Sequence, residues 1–331
     1  MDFVSKMKAK AVSKQKDLVL PEGAVPRIVK AARIIKDEKI AAKVILLGTV
    51  AEIQKVAEKE GVSLSGIDII NPLAAPEHGD FAHEFYLLRK HKGMTEEQAK
   101  KDIVDPLRWG AMMVHMGKVD AMVGGVVNTT ADLLKAGIPI IGTAQGLKNA
   151  SSCFVMTSLD PKWGADGTLI FSDCGVIPAP LPEQLADITI SAANSCREFL
   201  EVEPVVALMS FSTKGSAEHE NVTKIQTAVK ILKERNVDFV FDGELQADAA
   251  LVPSVTDQKA PGSPVKGKVN TLIFPDLGAG NIGYKLVQRL GNAQAFGPIL
   301  QGFAKPISDL SRGASVDDIV TTCAITISRA K

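Results

Sequence analysis

The stretch DAMVGGVVNTTADLLKAG, residues 120–137, decides how the rest of the chain is read. It opens with a short apolar run closed by Gly124 and Gly125, passes through Asn128, Thr129, Thr130 and Asp132, and continues at helical spacing around Lys135. A strand that ends in glycines and feeds a polar-started helix is the unit from which helix-covered parallel sheets are built. The two glycines permit close backbone approach. The polar cluster either caps the helix or holds a phosphate at its N-terminus.

Working outward, the same alternation recurs from end to end. Strands are expected at 17–23, 43–48, 67–71, 120–125, 152–159, 168–173, 205–210, 238–243, 270–277 and 297–303, and helices at 25–37, 80–92, 95–117, 183–201, 219–235, 280–291 and 315–329. The class is therefore α/β. So many strands suit two sheets better than one, and 331 residues exceed a comfortable single core, so two domains flanking a cleft are expected. The glycine-containing AGIPIIGTAQG (136–146) marks a boundary. The turn-rich piece 253–268 is long for a loop and suggests a mobile flap or a plain surface loop.

Composition removes several classes of partner. Hydrophobic residues at 46% and charged residues at 23% match a folded globular chain. Lys plus Arg and Asp plus Glu are both 38, so no overall field favours nucleic acid or a membrane surface. Cys153, Cys174, Cys196 and Cys323 stand singly, without metal or redox spacing, and read as buried reduced thiols. The N-terminal lysines Lys6, Lys8, Lys10, Lys14 and Lys16 accompany no apolar signal run, and no stretch approaches the roughly 18–20 apolar residues of a membrane span. A solvated helical face at the start of a cytoplasmic protein is the expectation.

Three further stretches bear on chemistry. LSRGASVDD (310–318) follows an expected strand and opens a helix, where anions are commonly bound. It offers the hydroxyl of Ser311, the cation of Arg312, a flexible Gly313 and the carboxylate of Asp318. Ser315 and Asp318 also fit a plain capping box. LRKHKGMTEEQAK (88–100) gathers Arg89, Lys90, His91 and Lys92 at a helix end, where they either compensate the helix dipole or bind an anion. Residues 278–283 spell G-x-G-x-x-G, but the next expected strand ends in no acid, so a glycine turn for helix packing is preferred over dinucleotide binding. His78, His83, His91, His115 and His219 form no H-x-x-x-H pair, and neither a G-x-S-x-G elbow nor a P-loop is present.

The runs FYLLRKHKGMTEEQA (85–99), DAMVGGVVNTTADLL (120–134), KAPGSPVKGKVNTLIFPDLGAGNIGYKLVQRLG (259–291) and GPILQGFAKPISDLSRGASVDDIV (297–320) resemble the phosphate acetyltransferase family in order and over nearly the whole chain. The last two are the most specific; the first two are shared more loosely with phosphate butyryltransferases. The resemblance implies two α/β domains of the isopropylmalate dehydrogenase-like type, the active site in the cleft between them, and a homodimer. It puts residues 1–145 with 295–331 in the first domain and 146–294 in the second. It also implies that Ser311, Arg312 and Asp318 are catalytic and that Arg89 is linked to CoA binding. Lys135 stands where the family commonly has a second CoA-associated arginine, which keeps the charge and loses the bidentate fork.

These implied roles suit the chemistry. CoA acts as a substrate, and no metal or prosthetic group enters the scheme. A free thiol is only slightly ionised at neutral pH, so Asp318 would serve as base, Ser311 as oxyanion donor and Arg312 as phosphate ligand. The rivals are a phosphate butyryl- or propionyltransferase, an NAD-dependent dehydrogenase on a similar fold, and a noncatalytic CoA-binding protein.

Overall fold

The computed structural model describes residues 2–331. Its contacts divide the chain into two units, Met1–Ala144 with Phe303–Lys331, and Gln145–Gly302.

The first unit begins with α1 (Phe3–Lys14), β1 (Leu18–Leu20), α2 (Pro26–Asp37), β2 (Val44–Leu47), α3 (Val50–Glu60), β3 (Asp68–Ile70), α4 (His78–Arg89), α5 (Glu96–Asp102), α6 (Pro106–His115), β4 (Ala121–Gly124) and α7 (Thr130–Ile141). The second runs through β5 (Ser151–Thr157), β6 (Leu169–Ser172), α8 (Pro182–Leu200), β7 (Val205–Met209), α9 (Glu220–Glu234), β8 (Val240–Leu245), α10 (Ala247–Leu251), α11 (Pro253–Lys259), β9 (Thr271–Ile273), α12 (Leu277–Leu290) and β10 (Gln294–Gln301). The chain then returns to the first unit with β11 (Ile307–Asp309) and α13 (Val316–Ser328).

The first unit carries a parallel sheet in the order β11-β4-β1-β2-β3. Its strands β1, β2, β4 and β11 are buried along their whole length, as continuous apolar runs between helical layers should be. Leu18, Leu20, Val44, Leu46 and Val123 form one core with Ile28, Ala32 and Ile35 of α2 and Ile319, Cys323 and Ile327 of α13. The sheet of the second unit is mixed, β10-β5-β6-β9-β7-β8, with β5 antiparallel to both β10 and β6. All four cysteines are buried, and none forms a disulfide. Among the described residues no helix is long and apolar enough to cross a membrane.

Four expectations need correction. Strand β11 has no counterpart in the sequence reading, and it is this strand, rather than 297–303, that precedes LSRGASVDD. The helix expected over 95–117 is broken before Pro106, which opens α6 behind the side-chain cap of Asp105. The return to the first unit falls at 303 and not 295, because β10 pairs antiparallel with β5 as the edge strand of the second sheet. Finally, 253–268 is no flap: its first half is α11, and Thr256, Ala260 and Val265 are buried in the second unit.

The G-x-G-x-x-G sequence lies inside α12 rather than in a turn ahead of it. Its glycines serve packing. A Cβ at Gly280 would stand 2.3 Å from the carbonyl oxygen of Asp173, and one at Gly283 would stand 3.1 Å from the Phe274 ring. Gly280→Ala should therefore lower the unfolding free energy by about 1–3 kcal/mol through overpacking, despite the better helix propensity of alanine. Equal urea midpoints for variant and wild type would remove this packing role.

Candidate active site

The order of strands in the first sheet reverses between β1 and β4, so the segments leaving their C-terminal ends part company there. Such a switch point is where open α/β sheets accept ligands. Beyond β1 stands Glu22, buried to 8% exposure. Its carboxylate accepts the backbone N–H groups of Gly125, Val126, Val127 and Asn128 and the side-chain amide of Asn128, all at 2.8–3.0 Å. These amides are consequently taken, and the loop after β4 does not offer them to a phosphate. Thr129 and Asp132 close a capping box on α7, so the polar cluster acts as a cap. Hydrogen bonds from Thr129, with a smaller contribution from Lys135, lower the Asp132 carboxyl below its ordinary range.

Asp309 ends β11 against this loop. Gly125 adopts a φ of +111°, and a Cβ there would lie 2.2 Å from Asp309 Oδ1, so only glycine permits the approach. Asp309 Oδ2 accepts the hydroxyl of Thr130, while Oδ1 is buried without a hydrogen-bond partner. Burial pushes this carboxyl up to about 6, opposed by the bond from Thr130 and the nearby Leu310 amide and reinforced by the neighbouring Glu22.

The turn that follows displays Ser311 and Arg312 at the surface. Ser311 Oγ accepts the Gly313 amide at 3.2 Å, and its carbonyl accepts the Ala314 amide at 2.9 Å. From α2 the guanidinium of Arg27 donates to the carbonyl oxygens of Arg312, at 3.0 Å, and Ala314. Asp318 is the N3 residue of α13: its Oδ2 accepts both the amide (2.9 Å) and the hydroxyl (2.8 Å) of Ser315, whose Oγ takes the Asp318 amide at 3.1 Å. The capping box is thus real. It runs through Oδ2 and leaves Oδ1 outside it.

The structure accordingly brings Ser311, Arg312 and Asp318 onto one strand-to-helix turn. Lys135, three-quarters exposed and 3.6 Å from Asp132, sits on α7, which packs against β11. Arg89 is the last residue of α4, which packs against α7. Glu22, Arg27 and Asp309 escape the sequence reading. The PEG following β1 and an acid two residues before Ser311 are the only local signals they leave.

An aspartate of ordinary value near 3.8 and a folded value of about 6 mean that the folded chain holds the extra proton between the two. The contribution of Asp309 to stability is then fully present below about pH 4 and is lost as pH rises through about 6. The displacement corresponds to roughly 3 kcal/mol. Between about pH 4 and about pH 7, urea unfolding should show wild-type stability falling by that order relative to Asp309→Asn. Parallel profiles for the two proteins would show that Asp309 does not titrate in this way.

Residues 2–327 match the profile of the family described as "Phosphate acetyl/butaryl transferase". The chain is 56% identical over 330 residues to a phosphate acetyltransferase of Treponema pallidum, covering 99% of this chain and 98% of that protein. The crystal structure of a phosphotransacetylase from Streptococcus pyogenes superposes with a TM-score of 0.92 at 38% identity, covering 99% of this chain and 97% of that one. A 4-hydroxythreonine-4-phosphate dehydrogenase from Klebsiella pneumoniae shares the fold alone, with a TM-score of 0.54 at 13% identity over 95% of this chain and 100% of that one. Sequence and architecture agree from end to end: the chain belongs to the family of phosphate acetyl- and butyryltransferases.

Proposed function

We propose that the protein is a phosphate acetyltransferase, interconverting acetyl-CoA and phosphate with acetyl phosphate and CoA. The observation that carries this reading is the single turn after β11 on which a hydroxyl, a guanidinium and a carboxylate are displayed together, in a chain of this family. Asp318 takes the thiol proton of CoA through the oxygen outside the capping box. The sulfur attacks the carbonyl carbon of acetyl phosphate, and Ser311 donates a hydrogen bond to the oxyanion that forms. Collapse of the tetrahedral intermediate breaks the carbon–oxygen bond to phosphate, whose developing charge Arg312 receives through its planar fork. Arg89 and Lys135 hold the phosphates of CoA. With lysine at 135 the charge is kept and a bidentate contact is lost.

A butyryl- or propionyltransferase is the alternative within the family, and chain length in an apolar pocket discriminates by only about 1–3 kcal/mol per methylene. The high identity to a protein named for acetyl transfer favours acetyl. A dinucleotide role has lost its motif to the packing of α12. A homodimer and a cytoplasmic location belong to the same proposal. Ile282, Leu286 and Leu290 form an exposed apolar stripe on α12, of the kind a subunit interface buries. Four cysteines without a disulfide suit a reducing compartment. Sedimentation equilibrium separates dimer from monomer.

Thioester formation from acetyl phosphate and CoA is the direct assay, and no turnover with acetyl, propionyl or butyryl phosphate would end the proposal. Asp318→Asn should lower kcat by about 10²–10⁴ while folding is kept, because the amide oxygen still accepts from Ser315. The loss should shrink as pH approaches the thiol value of about 8.5, where CoA ionises unaided. Ser311→Ala should cost a factor nearly independent of pH. Near-normal turnover of folded Asp318→Asn at neutral pH would leave Asp318 as a cap only. In the same assay Arg89→Ala should raise the KM for CoA more than that for acetyl phosphate; equal KM values would take Arg89 out of the CoA site.

A further inference from the structure

The Thr130–Asp309 pair has features that stability does not explain. Asp309 is 4% exposed, one of its oxygens is buried without a hydrogen-bond partner, and Gly125 and the charge of Glu22 lie near it. A buried polar atom left unpaired is destabilising, and an apolar pair of the same shape would be less costly. What the pair does supply is a connection. Asp309 closes β11 two residues before Ser311, and Thr130 is the first residue of α7, the helix that carries Lys135. Among the described residues the Thr130 hydroxyl on Asp309 Oδ2 is the only side-chain hydrogen bond from 309–318 to 124–137.

Other fixings of the turn run elsewhere. Arg27 holds the carbonyls of Arg312 and Ala314 from α2, and the capping box ties Ser315 to Asp318 within α13. The Leu310 amide bonds the Gly124 carbonyl and fixes the strand end, but not the helix that starts six residues later. Without the Thr130 contact the turn and the helix would each be well made, and among the described residues no side-chain hydrogen bond would set one against the other.

We infer that Asp309 and Thr130 are positioning residues, which register the turn bearing Ser311, Arg312 and Asp318 against the N-terminus of the helix bearing Lys135. The inference rests on the roles assigned to those residues under the proposed function. Neither Asp309 nor Thr130 touches substrate. Their bond sets the separation between the residues that hold the acyl phosphate and those that hold CoA, and misplacement of reacting groups by about 1 Å can cost up to about a hundredfold in rate.

Thr130→Val, which keeps the shape and removes the hydroxyl, is the decisive variant. It should lower kcat about tenfold while leaving KM for CoA and for acetyl phosphate within about twofold, because each substrate keeps its own ligands and only their register is disturbed. Thr130→Ser should restore kcat. Thr130→Val placed in an Asp309→Ala background should cause no further loss, as coupled partners require. A folded Thr130→Val with wild-type kcat overturns the inference. So does a rise in KM at constant kcat, or a fall in kcat that Thr130→Ser repeats. Hydrogen–deuterium exchange provides a readout free of turnover: amides at 310–315 should exchange faster in Thr130→Val than in wild type or Thr130→Ser. Should the wild type fail to make thioester, the functional reading falls, while unchanged exchange in Thr130→Val would by itself sink the link.

Discussion

Four successive backbone amides of one loop, Gly125 to Asn128, converge on the carboxylate of a single buried residue, Glu22. Each bond of this type to a carboxylate contributes about 1.5–3 kcal/mol, and a donor left without it inside the protein would cost a comparable amount. The loop therefore has one conformation, specified from the neighbouring strand. That conformation lets Gly125 pass close beside Asp309 and delivers Thr129 and Thr130 to the start of α7. The end of β11, the cap of α7 and the turn that follows β11 all lie against it. An internal anion at a sheet's switch point thus does here what a bound phosphate does in nucleotide folds, and it removes that loop from the list of phosphate ligands.

The functional turn shows how one residue can serve two ends. Asp318 caps α13 through Oδ2, which fixes the rotamer of its carboxyl, and the same fixing presents Oδ1 in a constant place. Capping leaves room for the proposed base chemistry because a carboxylate has two oxygens. Arg27 adds a constraint of another kind. It grips the turn by carbonyl oxygens, so the side chains of Ser311 and Arg312 remain free of structural duties except for the bond from the Gly313 amide to Ser311 Oγ.

Much of this architecture is legible in the sequence because parallel strands buried on both faces leave continuous apolar runs and their helices leave a different period. The three-residue spacing of Ser315 and Asp318 announces its capping box for the same local reason. Strand β11 is not legible: it is three residues long, follows Pro306, and two of its residues are the polar Ser308 and Asp309. They are tolerated inside because Thr326 and Thr130, distant in sequence, bond to them. Glu22 and Arg27 are missed for the same reason, since their partners lie about a hundred and nearly three hundred positions away. Residues 278–283 err in the opposite direction. Their glycine spacing imitates a nucleotide turn, whereas the structure uses it to bring a helix down onto the Asp173 carbonyl and the Phe274 ring.

The first unit is assembled from two separated pieces of chain, and the second piece, Phe303–Lys331, carries β11 and α13. On the ribosome the continuous unit Gln145–Gly302 is synthesised whole before that piece is made. During this interval the parallel sheet lacks its β11 edge, and the apolar faces of α1 and α2 that α13 covers stand open. Domains form as units once their residues are available, and exposed apolar surface is the hazard of the wait. The order of synthesis therefore makes the turn bearing Ser311, Arg312 and Asp318 the last part of the candidate site to arrive, together with α13, the helix that seals the core.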